Sequence, residues 1–262
     1  MAGPKTDWNP ERYARFEDLR LRPALDLAAQ IRGLPDGAVI DLGCGSGAVA
    51  ETLAVHFPAR PLIGVDASPA MLAKAQGLGL YEVLVEADIS AWAPRHPPAL
   101  IFSNAALHWL GDHATLLPRL ASYLAAGGTL AVQMPRQTAA PSHRFLRDIA
   151  ASLFPDRFDF VGWQPPVQPA EAYWRMLSGL GQITAWETEY VQRLGPSAEG
   201  HPVRRFTEAT AMRPFVEKLS AAEVEAFVVA YDEALSVAYP LLPDGGALFP
   251  FRRCFFVLRV AD

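Results

Sequence analysis

The stretch Asp41-Leu42-Gly43-Cys44-Gly45-Ser46-Gly47 follows the apolar run Ala38-Val39-Ile40 and precedes Ala48, Val49, Leu53, Ala54 and Phe57, which recur at helical spacing. The order implied is strand, glycine-rich turn, helix. Glycine suits positions 43 and 45 because the backbone must turn tightly and come close to a ligand, and a Cβ would obstruct both. The helix start behind the turn is expected to offer free N–H groups to that ligand. About 25 residues after Asp41, the run Pro61-Leu62-Ile63-Gly64-Val65 ends in Asp66. An acid there can accept hydrogen bonds from both hydroxyls of a ribose. Together the two stretches read as a nucleoside-binding half-fold.

The pattern Gly43-x-Gly45-x-x-Ala48 also satisfies the dinucleotide fingerprint, so the turn alone does not choose the nucleoside. Asp41 does. It stands two residues before the first glycine, near where a dinucleotide would place its pyrophosphate, and a like-charge contact at 4 Å costs ~4 kcal/mol at an effective dielectric of ~20. S-adenosylmethionine carries no phosphate; its sulfonium and ammonium are attracted by a carboxylate. The residues favour it over a dinucleotide, the alternative being an Asp41 that caps the turn with no ligand.

Working outward, residues 1–22 mix Trp8, Asn9, Tyr13 and Phe16 with arginines, and are expected to form a lid over the site. Residues 23–31 read as a short helix leading to the first strand. After Asp66, Ser68-Pro69 caps a helix running to about Gln76, and residues 82–86 form a third strand leading to Asp88. A fourth strand, 99–102, delivers Ser103-Asn104 at its C-terminal end, where ligands lie in open α/β sheets. Thr115 is expected to cap the next helix, with Pro118 in its first turn, and Thr129 to Met134 to form a fifth strand. Strands alternating with helices in this way predict a doubly wound parallel sheet. From Pro135 the composition shifts to proline and aromatic clusters. A sixth strand is expected over 183–191 and a closing strand over 252–260. Between them, Ser220-Ala221-Ala222-Glu223 forms a capping box for a helix that aligns Val224, Phe227, Val228, Tyr231 and Leu235.

The 262 residues are 51% apolar and 19% charged, which describes a globular chain. A net charge of -5 without a basic run gives no general attraction for nucleic acid. No apolar run approaches the ~20 residues a membrane span requires, no signal-peptide core is present, and a cytoplasmic location is expected. The two cysteines, Cys44 and Cys254, suggest neither a disulfide nor a metal site, and the six histidines lack metal-ligand spacing. The oligomeric state is left open.

Several segments resemble the trans-aconitate methyltransferase family of class I adenosylmethionine-dependent enzymes. They are Asp7-Trp8-Asn9-Pro10, the turn at 41–45, Ser68-Pro69-Ala70-Met71, Glu86-Ala87-Asp88-Ile89, Asn104-Ala105, Trp109-Leu110, Ala131-Val132-Gln133-Met134-Pro135, Met212-Arg213-Pro214 and Tyr239-Pro240-Leu241. The resemblance implies a Rossmann-like seven-stranded sheet with its last strand antiparallel and a helical cap inserted late in the chain. Its domain plan is a lid and first helix at 1–36, a core of 37–135 plus 183–192 and 251–262, and a cap of 136–182 and 193–250. It implies a cofactor site of Asp41, Gly43, Gly45, Asp66, Ala67, Met71, Asp88, Ile89 and Asn104.

The same resemblance implies methyl transfer to a carboxylate of a small polycarboxylic acid, trans-aconitate or an analogue. A carboxylate is already deprotonated at neutral pH, so catalysis rests on positioning, and arginine suits the remaining carboxylates through two-point contacts. Arg213 and Arg253 match arginines of the family pattern; Trp8, Tyr13, Gln133, His143 and Tyr173 are further candidate donors or walls. His108 stands where the family more usually has glutamine, and could serve as a donor or as a base for a hydroxyl acceptor. Carboxyl methylation of a malonyl thioester on a carrier protein, a non-catalytic adenosylmethionine-binding protein and a nicotinamide dehydrogenase are the other readings, the last disfavoured by Asp41.

Overall fold

Strand β1, Val39–Leu42, is buried at all four residues, and the strands on either side of it are apolar runs of the kind a sheet covered on both faces requires. In a computed structural model describing residues 17–208 and 210–262, with side-chain burial from residue 21 onward, the further strands are β2 Leu62–Asp66, β3 Val83–Glu86, β4 Leu100–Asn104, β5 Thr129–Pro135, β6 Gly181–Leu194 and β7 Ala247–Val260. They form one seven-stranded sheet in the order β3-β2-β1-β4-β5-β7-β6. The first five are parallel, and β7 runs antiparallel to β5. Both features match the expected sheet. Burial falls toward the edge: β4 is buried at four of five positions, whereas Val83 on β3 is 46% exposed.

The helices are α1 Glu17–Ala28, α2 Ala50–His56, α3 Pro69–Gln76, α4 His113–Ser122, α5 Pro141–Leu153, α6 Ala170–Leu177, α7 Pro202–Glu208, α8 Arg213–Val216 and α9 Ala221–Ala238. Ser68 caps α3 by accepting from the Met71 N–H, and the capping box at Ser220 and Glu223 opens α9, both as expected. Three details differ. Helix α1 begins six residues before Pro23 and carries that proline inside it. The cap of α4 is Asp112, whose carboxylate accepts from the Thr115 N–H, so Pro118 falls within the helix rather than in its first turn. Strand β7 starts at Ala247, five residues before the expected start, passing through Pro250.

The chain divides into two compact units. Of the described residues, the first comprises 17–135, 166–188 and 253–262; the second comprises 136–165, 189–208 and 210–252. Residues 166–182, expected with the cap, belong to the first unit. The physical reason is α6, whose Tyr173 and Leu177 are fully buried in the cluster formed by Ile101, Leu130, Val132, Phe256 and Leu258. Within the second unit α9 buries Phe227, Tyr231 and Leu235, and the Tyr231 hydroxyl donates to the Ser142 carbonyl on α5 at 2.5 Å. Among the described residues no helix is long and apolar enough to cross a membrane.

Candidate functional site

The sheet reverses direction between β1 and β4: the chain proceeds outward through β2 and β3 on one side and through β5 on the other. Such a reversal opens a crevice at the C-terminal ends of the strands. The register places the candidate residues there. Asp41 pairs with Gly64 and with Phe102, Asn104 pairs with Gln133, and Pro135 pairs with Arg253. Since every second residue of a strand shares a face, Asp41, Asp66, Asn104, Gln133 and Arg253 all lie on one face of the sheet at this end. The crevice and its lining belong to the first unit.

After β1 the backbone turns through Gly43 and Gly45, with φ of +79° and +55°. These are left-handed values that disfavour a side chain. The two glycines do different things. A Cβ at Gly43 would overlap the methyl of Ala106 and lie 3.4 Å from Cδ1 of Ile89, so this glycine lets three segments of the first unit meet. A Cβ at Gly45 would meet nothing within 4 Å among the described residues, which leaves its backbone accessible in the way a cradle for a ligand would be. Behind the turn α2 starts only at Ala50, and the N–H groups of Gly47 and Ala50 are taken by the carbonyls of Cys44 and Gly47, so those two are not offered to a ligand.

Asp66, at the end of β2, is held by two backbone donors. Gly45 N–H reaches Oδ2 and Ser68 N–H reaches Oδ1, each at 2.9 Å. A carboxylate so fixed keeps lone pairs for a pair of hydroxyls. Ala67 is exposed beside it and Met71, on α3, is buried. Asp88 is exposed, and its Oδ1 accepts from the Ser90 N–H and hydroxyl at 2.9 and 2.7 Å.

Asp41 is 1% exposed and accepts a 2.6 Å hydrogen bond from the Tyr81 hydroxyl. Burial raises its carboxyl from 3.8 to about 7, against the lowering effect of the Tyr81 bond, with Asp66 adding to the rise. The same burial, with Asp41 beside it, pushes the Tyr81 hydroxyl far up, so the proton between them stays on the tyrosine. Asp41 is therefore only partly charged at neutral pH, and its attraction for a cation is smaller than full ionisation implies. Gly64 makes the contact possible, because a Cβ there would stand 2.9 Å from the Tyr81 ring. Tyr81 was not expected; a lone glycine inside a strand, which marks close approach of another group, is the signal that points to it.

At the end of β4, Oδ1 of Asn104 is buried and has no hydrogen-bond partner among the described residues. The next residue, Ala105, adopts φ +54°, a strained conformation for alanine, and its N–H donates to the Gln133 carbonyl at 2.9 Å. Gln133 is fully buried on β5 and its Oε1 accepts from Nη1 of the 3% exposed Arg253 at 3.3 Å. His108, half-buried on a single 3-10 turn over Leu107–Trp109, has its ring 4.6 Å from that of Trp109.

Tyr173 is corrected from a site wall to a core residue. It is fully buried, stacked on Phe256, and its hydroxyl accepts from the Gln168 N–H at 3.2 Å and pairs with Nδ1 of His113 at 2.8 Å. Since Nε2 of His113 meets the Leu107 carbonyl, which can only accept, Nδ1 must accept the Tyr173 proton. His143 and Arg213 belong to the second unit. The His143 ring bonds to the Ser142 hydroxyl at 3.0 Å, and burial, then Arg147, lowers its pKa to about 4. Arg213, on α8, reaches Glu217 one turn on at 3.4 Å. Trp8, Tyr13 and residues 1–16 of the lid expected over 1–22 lie outside the described residues, while 17–22 belong to α1. Among the described residues no group of three His, Cys, Asp or Glu side chains is gathered as a metal would require.

The residues present fit adenosylmethionine: an open glycine cradle, a fixed acid for the ribose and an orphaned buried acceptor on Asn104. Comparison with known proteins agrees. Residues 13–177 match the methyltransferase domain model. Trans-aconitate 2-methyltransferase of Methylobacterium radiotolerans is 40% identical over 98% of this chain and 99% of its own, and that of Paracidovorax citrulli is 38% identical over 97% and 98%. The fold is shared with the YcgJ protein of Bacillus subtilis, at a TM-score of 0.58 and 15% identity over 94% of this chain and 99% of that one. It is shared as well with phosphoethanolamine N-methyltransferase 2 of Haemonchus contortus in complex with S-adenosylhomocysteine, at 0.53 and 17% over 92% and 53%. A match of this length and identity, on a sheet that carries the glycine turn and Asp66, means that the chain belongs to the trans-aconitate 2-methyltransferase family of S-adenosylmethionine-dependent methyltransferases.

Proposed function

We propose that this methyltransferase esterifies a carboxylate of a small polycarboxylic acid, trans-aconitate or a close analogue. The observation that carries the reading is the buried Arg253–Gln133 pair, at the same end and on the same face of the sheet as Asp66 and Asn104. A buried amide held by a buried cation in an acidic chain supplies the local donor an anionic acceptor requires.

When bound, adenosylmethionine supplies an electrophilic methyl on a sulfonium. The chain positions its partners: Gly45 leaves room for the backbone to approach, Asp66 takes the ribose hydroxyls, and Asn104 Oδ1 accepts from the methionine ammonium. A carboxylate acceptor arrives deprotonated, so no side chain has to remove a proton and His108 is assigned no such step. What remains for the protein is alignment and exclusion of water.

The test is methyl transfer from labelled adenosylmethionine to a panel of mono-, di- and tricarboxylic acids, with a malonyl thioester included. The highest kcat/KM is expected for an unsaturated tricarboxylate, with dicarboxylates at least tenfold lower, about 1.4 kcal/mol. Preference for the thioester would replace this acceptor, and transfer to none of the panel would exclude the reading.

A further inference from the structure

The carboxamide of Gln133 can be turned one way only. Nη1 of Arg253 donates toward it at 3.3 Å, and a guanidinium has no acceptor to offer, so Oε1 must face Arg253 and Nε2 must face away. Nε2 is buried and has no hydrogen-bond partner among the described residues. The strand neighbour of Gln133 is Asn104, whose orphaned atom is Oδ1. Buried polar atoms without partners are few in folded chains, and each asks what satisfies it. Here two occur on paired residues, one a pure donor and the other a pure acceptor. They lie at the C-terminal ends of β4 and β5, on the face that carries Asp41 and Asp66.

The two orphans are sorted by chemistry. An ammonium requires an acceptor and can use Asn104; an anionic acceptor requires a donor and can use Gln133. We propose that Gln133 is the acceptor-binding residue of this site, donating from Nε2 to the substrate carboxylate, and that Arg253 acts through it as a positioning residue by holding Oε1. The inference rests on the carboxyl-methylation reading above and names its specificity determinant. A neutral donor has a physical advantage here. A cation paired directly with the reacting carboxylate would draw charge from the attacking oxygen, whereas an amide N–H fixes it and leaves it nucleophilic.

Gln133→Glu tests this, because it keeps the length of the side chain and an oxygen for Arg253 while replacing the donor with a carboxylate. On the acid that the wild type methylates fastest, kcat/KM should fall about thirtyfold or more, largely through KM. Affinity for S-adenosylhomocysteine should stay within about threefold and the melting temperature should not fall. Arg253→Met should lower kcat/KM while Arg253→Lys, which can still donate to Oε1, recovers part of the loss. Gln133→Met, read by the same measurements, replaces the Glu variant if that one does not fold. Unchanged kinetics in a folded Gln133 variant, or an equal loss of homocysteine-cofactor binding, would overturn this inference alone. A wild-type enzyme that methylates no carboxylic acid would overturn both it and the reading beneath it.

Discussion

Asp41 illustrates how burial sets the behaviour of a single residue. Its carboxyl is raised to about 7 because burial disfavours the ion, and a folded carboxyl that holds its proton more tightly than the unfolded one contributes a definite sign. The stability of the neutral form is complete below about pH 4 and is lost as the pH rises through about 7, the interval between 3.8 and 7 corresponding to roughly 4 kcal/mol. Asp41→Asn should remove that loss. In denaturant titrations of the cofactor-free protein at pH 5, 6.5 and 8, the variant should gain on the wild type steadily with pH. His143, whose lowered pKa acts in the opposite sense below pH 6.5, is common to both proteins and cancels in the difference. Parallel profiles for the two proteins would show that Asp41 carries no such penalty. Position 41 was legible in the sequence as an acid beside the glycine turn. Its partial neutralisation was not, because that depends on burial in the folded sheet, opposed by a bond from Tyr81, which the fold brings from 40 residues away.

The element that most directly reports on the cofactor is the turn from Gly43 to Val49. Its glycines are equally conspicuous in the sequence, yet only the structure separates a glycine required by the protein from one that leaves space. Gly43→Ala combines a left-handed backbone with overlap against Ala106 and should cost roughly 3 kcal/mol or more. Gly45→Ala meets no neighbour among the described residues and should cost only the backbone strain, about 1–2 kcal/mol. It should nevertheless lose measurable affinity for S-adenosylhomocysteine, because the added methyl occupies the approach. Urea titration paired with calorimetry distinguishes the two variants, and normal cofactor affinity in Gly45→Ala would remove this turn from the binding site.

Over the whole molecule, the strands were the most legible feature, because central strands of a covered sheet are continuous apolar runs and because Ser68, Asn104 and Gly127 punctuate them. The late helices α5 to α8 were not expected individually, since their boundaries fall among prolines and aromatic clusters whose roles are set by packing. The start of β7 was hidden by Pro250, a residue that ordinarily argues against a strand. Tyr173 reads from the sequence as a donor at the site but belongs to the core, because His113 and Gln168 already use its hydroxyl, a pairing only the fold creates. Activity nevertheless leaves a chemical signature in the product: the transferred methyl resides on a carboxylate oxygen. Incubating the enzyme with methyl-labelled adenosylmethionine and trans-aconitate, isolating the labelled acid and treating it with mild base reads this directly. A methyl ester releases its label as volatile methanol, which is the predicted result; label that stays with the acid would place the methyl on carbon or an ether oxygen and contradict the carboxylate mechanism.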